Sequence, residues 1–216
     1  MILGVIPARL NSTRFPSKVI FPLKGKPIIE HVYEKALQSK LLNKVIVAVD
    51  SEETKNVINC QNIIMTSDKH QSGTDRVAEV ANNFNCDIVV NIQGDEPGID
   101  PLLIDKLIQL FEDPDVEMAS IASTDLKEDD LNNDNVVKVN LDKENNAISF
   151  IRNNLNPEST YYRHIGIYAY RKNTLNLFTS LTQSDNEKNH RLEQLRALDN
   201  NIAIKLLISD FSHRSI

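Results

Sequence analysis

Apolar runs of strand length recur along the first half of the chain: Ile2 to Ile6, KVIVAV over 44–49, Asn62 to Met65 and DIVVNI over 87–92. Stretches with helical spacing lie between them. In the clearest of these, Pro27 suits a first helical turn, and Ile28, Ile29, Val32, Ala36 and Leu37 fall on one side, with Glu30, Glu34 and Lys35 elsewhere. The same spacing predicts helices around 52–58, 74–83 and 101–111. Strands alternating with helices are the signature of a parallel sheet covered on both faces.

The pattern changes after the next strand, EMASIAST over 117–124. DLKEDDLNNDN (125–135) reads as an exposed acidic connection, and VVKVNLD and AISFI as antiparallel neighbours across the turn-forming KENN. YYRHIGIYAYR (161–171) alternates, with Ile165, Ile167 and Ala169 on one side and His164, Tyr168 and Tyr170 on the other. One side is expected in the core and the other, with its aromatic residues exposed, at a site or interface. Helices over 173–181 and 190–198 and a strand over 202–208 complete the series. No linker or repeat interrupts it, so the expected fold is α/β: a single Rossmann-like domain over 1–216 with a mixed, mostly parallel sheet flanked by helices and a small antiparallel subregion.

Length and composition narrow the function. With 216 residues, 41% of them hydrophobic, the chain can bury a sizeable α/β core. A net charge of -6 argues against nucleic acid as partner but leaves room for a local cationic pocket. Two cysteines, Cys60 and Cys86, stand without a CxxC or a zinc-like histidine spacing, and are expected buried and reduced. No apolar stretch approaches the ~20 residues of a membrane span, and a cytoplasmic location is expected.

Ligands of open parallel sheets bind beyond the carboxyl ends of the strands. The loop after the first strand, PARLNSTRFPSK, carries Arg9, Ser12, Thr13, Arg14 and Lys18, a set suited to a polyphosphate. It lacks GxxxxGK[ST], and no GxGxxG follows the strand, so neither a P-loop ATPase nor a dehydrogenase is supported. After DIVVNI come Gln93, Gly94, Asp95, Glu96 and Pro97, and from there Asp95 can hold a hard divalent cation bridging phosphate oxygens. Taken locally, the same acids suit a turn and helix start, HQSGTDR (70–76) suits a capped helix with an exposed Arg76, and His164 suits a strand histidine satisfied by a neighbour.

Together, IPARLNSTRFPSK, LKGKPIIEHVYEKA, SDKHQSGTDRVAEV, VVNIQGDEP, YYRHIGIYAYR and LEQLRAL resemble the 3-deoxy-manno-octulosonate (Kdo) cytidylyltransferases, or CMP-Kdo synthetases, of the nucleotide-sugar cytidylyltransferase superfamily. The resemblance runs from residue 5 to residue 198. It implies a nucleotide-diphospho-sugar transferase fold and the reaction of CTP with Kdo to CMP-Kdo and pyrophosphate, with Mg2+, for lipopolysaccharide biosynthesis. By motif, Arg9, Ser12, Arg14, Lys18, Arg76 and Gln93 are implied to bind CTP, with Lys18, Arg14 and Asp95 catalytic and Asp95 the metal ligand. Arg152, His164, Tyr168, Glu193 and Gln194 are implied on the sugar side, where Arg152 could pair with the substrate carboxylate.

The resemblance also implies a homodimer, formed through the region of the YYRHIGIYAYR strand. Three departures stand out. Ser17-Lys18-Val19 replaces Gly-Lys-Pro, and His190 stands where an acid is frequent. After HRSI the family continues into Gly-Val-Asp-Thr-Pro-Glu-Asp, so the natural C-terminal segment, with a second metal-ligating aspartate, is expected to be missing here. The alternatives are transfer to another acidic sugar, such as 8-amino-Kdo or a sialic acid, and a catalytically impaired CTP-binding homologue.

Overall fold

The computed structural model describes residues 1–9 and 18–211. They gather into two compact units, residues 1–108 and Gln109 onward. The division falls at the end of a helix, not at a linker.

The first unit is the alternating half of the sequence. Its elements are β1 (Ile2–Ala8), β2 (Pro22–Leu23), β3 (Lys26–Pro27), α1 (Ile28–Ala36), β4 (Lys44–Val49), α2 (Glu52–Val57), β5 (Ile63–Met65), α3 (Gly73–Asn82), β6 (Ile88–Asn91) and α4 (Pro101–Gln109). β6, β1, β4 and β5 lie side by side in that order, all parallel. Leu3, Val5, Ile6, Val47 and Val89 are fully buried, so the strands read as continuous apolar runs because helices cover both faces.

α1 starts where Pro27 predicts and buries Ile28, Ile29, Val32, Tyr33 and Ala36. Leu37, expected on the same stripe, falls past the helix end and is exposed. β2 and β3, too short for a periodic signal, form a hairpin through Lys24 (φ 49°) and Gly25 (φ 88°). Positive φ at both turn residues matches the twist of the flanking strands. The turn after α1 is fixed from α4: the buried Asp105 carboxylate accepts from Ser39 Oγ (2.5 Å), Lys40 N (3.1 Å) and Leu41 N (3.2 Å).

The second unit holds β7 (Met118–Ser123), α5 (Glu128–Leu131), β8 (Lys138–Leu141), β9 (Ala147–Ile151), β10 (Tyr162–Arg171), α6 (Lys172–Ser180), α7 (Asp185–His190), α8 (Leu195–Asp199) and β11 (Ile204–Ser209). β11 runs parallel to β7, β10 antiparallel to β7 and β8, and β8 with β9 forms the predicted hairpin. The whole is the mixed, mostly parallel α/β architecture expected. Among the described residues no helix is long and apolar enough to cross a membrane.

Three expectations need correction here. The acidic stretch 125–135 contains the short helix α5, its start bonded through Asp130 to the Lys127 N–H. The helix expected over 190–198 starts only at Leu195 with α8: α7 ends at His190, and Arg191, with a left-handed backbone (φ 53°, ψ 47°), turns the chain between them. The aromatic side of β10 is not exposed either. Tyr168 and Tyr170 are buried (9% and 1% exposed) in a ladder with centroid spacings of 4.9 Å for Phe150–His164, 5.5 Å for His164–Tyr168, 6.1 Å for Tyr168–Tyr170 and 6.2 Å for Tyr170–Phe178. Its own neighbours in the unit consume the aromatic area, because rings that size gain most from mutual edge and offset contact.

Candidate active site

In the first unit, three segments leave the carboxyl ends of parallel strands: β1 leads to Arg9, β4 to Asp50 and β6 to Gln93–Glu96. Lys18 opens a short 3-10 helix (Lys18–Ile20), and its Nζ donates to Asp95 Oδ2 at 2.9 Å. The two residues are 77 positions apart in sequence. Gly94 lets the turn after β6 lie close against the end of β1, since a Cβ there would meet the Pro7 carbonyl oxygen at 3.0 Å. Both partners are partly exposed, and such a pair contributes only about 0–1 kcal/mol. A ligand offering phosphate oxygens to Lys18, or a cation to Asp95, can therefore separate them at small cost.

Arg76, in the first turns of α3, is 1% exposed. The guanidinium donates to Asp50 Oδ2 (3.1 Å), to the Ser67 carbonyl (3.2 Å) and to Thr66 Oγ1. Burial pulls its pKa below the ordinary arginine value while Asp50 pulls the other way. Arg9 Nη1 donates to the Gln71 carbonyl at 3.2 Å, and Ser72 caps α3 in a capping box with Asp75. Arg9, Arg76 and the cap thus fix the 66–72 loop at three points.

In the second unit, His164 on β10 is partly exposed, and its Nε2 lies 2.9 Å from Ser120 Oγ on β7. Burial lowers its pKa to about 3. The Tyr168 hydroxyl is pushed well above its usual pKa by burial and by the negative charge of Glu193. Glu193 Oε1 also stands 3.7 Å from Arg196 Nη2, and Arg196 makes a two-pronged pair with Glu187 (2.6 and 2.8 Å) joining α7 to α8. Gln194, buried, precedes α8. Arg152 Nη1 donates to the Asp134 carbonyl at 2.8 Å, and the fully buried Lys138 donates from Nζ to the carbonyls of Asn133 (3.0 Å) and Arg152 (2.5 Å).

The profile of the cytidylyltransferase family matches residues 3–205, across both units. The chain belongs to the cytidylyltransferase family. Relatives named 3-deoxy-manno-octulosonate cytidylyltransferase place it in that branch. The protein from Pelobacter propionicus is 39% identical over 97% of this chain and 90% of its own, and that from Thermodesulfovibrio yellowstonii 41% over 96% and 89%. A solved CMP:2-keto-3-deoxy-manno-octonic acid synthetase complexed with CTP superimposes with a TM-score of 0.92 at 34% identity, covering 100% of this chain and 92% of that one.

The residues singled out in the sequence of this cytidylyltransferase divide between the two units. Arg9, Lys18, Arg76, Gln93 and Asp95 lie in the first unit, whereas Arg152, His164, Tyr168, Glu193 and Gln194 lie in the second. Ser12 and Arg14 fall outside the described residues. The exposed Arg76 of the local expectation is corrected: with its guanidinium bonded inside the fold, it shapes the 66–72 loop. Gln93 is half-buried, and its carbonyl accepts from Glu96 N at 3.3 Å, closing the turn that presents Asp95.

Asp50, Ser120 and Lys138 did not stand out in sequence. Asp50 could have been found, being an acid at the carboxyl end of a predicted strand, but nothing local distinguishes Ser120 in MASIAS or Lys138 in KVNL. Cys86 is buried and Cys60 half-buried, both as free thiols, and burial pushes the Cys60 pKa up to about 12.

Among the described residues no group of three or more His, Cys, Asp or Glu is placed to hold a metal. Asp95, its side chain 38% exposed, offers an accessible carboxylate. One oxygen-donor side chain completed by substrate phosphates is how magnesium commonly binds, so the residue fits that ion and does not form a protein-only cage.

Proposed function

We propose that this cytidylyltransferase transfers CMP from CTP to 3-deoxy-manno-octulosonate, releasing pyrophosphate, on the route to lipopolysaccharide. The observation that carries the reading is the Lys18–Asp95 pair: a cation for phosphate and a carboxylate for a hard metal, brought to 2.9 Å, with Lys18 opening the 3-10 helix and Asp95 in the turn after β6. The names of the relatives supply the sugar, and residues 3–205 are read as one catalytic domain.

In the proposed reaction the anomeric hydroxyl of the sugar acid gives up its proton to solvent water as its oxygen attacks the α-phosphorus in line. The new P–O bond forms as the bond to the bridging oxygen of the β-phosphate breaks, and pyrophosphate departs. Lys18 exchanges Asp95 for the triphosphate and, with Arg9 and Arg14, offsets its charge as pyrophosphate leaves, while the Ser12 hydroxyl donates a hydrogen bond. Arg76 holds the 66–72 loop in shape, and Gln93 holds the turn that presents Asp95. Magnesium on Asp95 and phosphate oxygens would neutralise charge around the α-phosphorus. Arg152 pairs with the sugar carboxylate, while His164, Tyr168, Glu193 and Gln194 hydrogen-bond its hydroxyls.

The test is pyrophosphate release with CTP, Kdo and magnesium. Absence of release above background removes the proposal, and CTP binding by calorimetry without turnover would favour a CTP-binding homologue. Comparing kcat/KM for Kdo, 8-amino-Kdo and a sialic acid decides the sugar. A homodimer in the cytoplasm belongs to the same proposal, checked by sedimentation and by cell fractionation.

A further inference from the structure

β7 and β10 pair in regular antiparallel register on either side of an interruption. Ile165 faces Ile121 and Ala169 faces Ala119, so three residues of β10, Gly166 to Tyr168, stand against the single residue Ser120. Bulges of this kind leave backbone groups without ladder partners and recur beside active sites. Here Ser120, fully buried, meets the disruption: its Oγ lies 3.2 Å from the Ile165 carbonyl and 2.9 Å from the Ile167 carbonyl, as well as 2.9 Å from His164 Nε2.

A serine hydroxyl has one proton and two lone pairs. Carbonyl oxygens only accept, so that proton must go to one of the two carbonyls; spent on the histidine, it would leave both facing Oγ lone pairs in a buried site. Oγ is then an acceptor towards Nε2, which must carry hydrogen. A ring that titrates near pH 3 is neutral at neutral pH and holds only one N–H, so its other nitrogen carries a lone pair. Among the described residues no hydrogen bond reaches Nδ1.

We infer that Ser120 is a positioning residue that locks His164 as the Nε2–H tautomer, so that His164 meets the sugar acid through Nδ1 as a hydrogen-bond acceptor and selects a hydroxyl at that place. This rests on the proposed transfer to the sugar acid. An analogue carrying an acceptor only, such as a methoxy or a keto group, at the position facing Nδ1 would be rejected, because two lone pairs would then oppose each other.

The experiment is nitrogen-15 NMR of the histidine-labelled enzyme at pH 7, with the His164 signals identified by their loss in His164→Gln. Expected are a protonated Nε2, an unprotonated Nδ1, and a shift of Nδ1 to lower frequency on adding Kdo. A protonated Nδ1, a charged ring, or an Nδ1 signal unmoved by saturating Kdo in an enzyme that turns over each overturns the inference and leaves the transfer reaction standing. Loss of the reaction itself shows in the pyrophosphate assay, independently of the tautomer. Ser120→Ala should mix the two tautomers and raise KM for Kdo about tenfold with KM for CTP unchanged, and Ser120→Thr should restore both. Equal rises in both KM values, or an unchanged KM for Kdo in a mixed-tautomer Ser120→Ala protein, would also sink it.

Discussion

Asp95 is the side chain on which the proposed chemistry concentrates. Asp95→Asn keeps the shape, removes the charge, and should lower turnover about 100-fold or more while CTP still binds, measured as kcat beside a calorimetric Kd. His164 gives a second expectation, in pH. Its pKa is about 3 in the fold against 6.5 ordinarily, so between those values the unfolded chain binds a proton that the folded chain refuses. Its contribution is therefore complete above about pH 6.5 and is lost as pH falls towards 3, by up to ~1.4 kcal/mol per pH unit. Urea midpoints at pH 7 and pH 4.5 should diverge more for the wild type than for His164→Gln. Lys18 and Asp95 were legible in sequence because they combine the right charge with a place after an apolar strand. Ser120 was not, since its partners are backbone carbonyls released by a bulge that leaves no trace in composition.

At the level of elements, the turn between α7 and α8 is held by a buried ion pair. Glu187→Ala removes both short bonds to the buried Arg196 and leaves its charge facing Glu193 at 3.7 Å, so it should lower unfolding free energy by up to about 3–5 kcal/mol, read as a fall in the urea midpoint at constant slope. The β8–β9 hairpin is tied down by Lys138 in a different way, its ammonium bonding two carbonyls and, among the described residues, no carboxylate. Lys138→Met strands both carbonyls and should cost about 1–3 kcal/mol for each. Because one of them belongs to Arg152, KM for the sugar acid should rise as well. The elements themselves were largely readable: periodicity and Pro27 gave α1, and KENN gave the hairpin. The single helix expected over 190–198 failed because Arg191 adopts a left-handed conformation that a bulky residue seldom takes.

For the whole molecule, ligand binding should register as stability. CTP with magnesium at 100 times Kd should add about 2.7 kcal/mol, which for a chain of this size raises Tm by about 5–10 °C. Differential scanning calorimetry checks this, and Asp95→Asn should blunt the magnesium-dependent part. The alternation of strands and helices made the first unit readable as a parallel sheet before any coordinates. The division near residue 108 was not, because neither composition nor charge changes there.

The interruption opposite Ser120 makes one stretch of the chain countable. Four steps along β10 from Ile165 to Ala169 match two along β7, an even surplus, so inward and outward positions keep their parity on both sides. Deleting one residue from Gly166–Tyr168 would turn either His164 or Tyr170 to the opposite face, whereas deleting two would preserve the faces and mend the ladder at the expense of the carbonyls that claim the serine's proton. Length at this point is thus set by chemistry, and an engineered shortening could leave a sound fold whose histidine no longer knows which nitrogen to protonate.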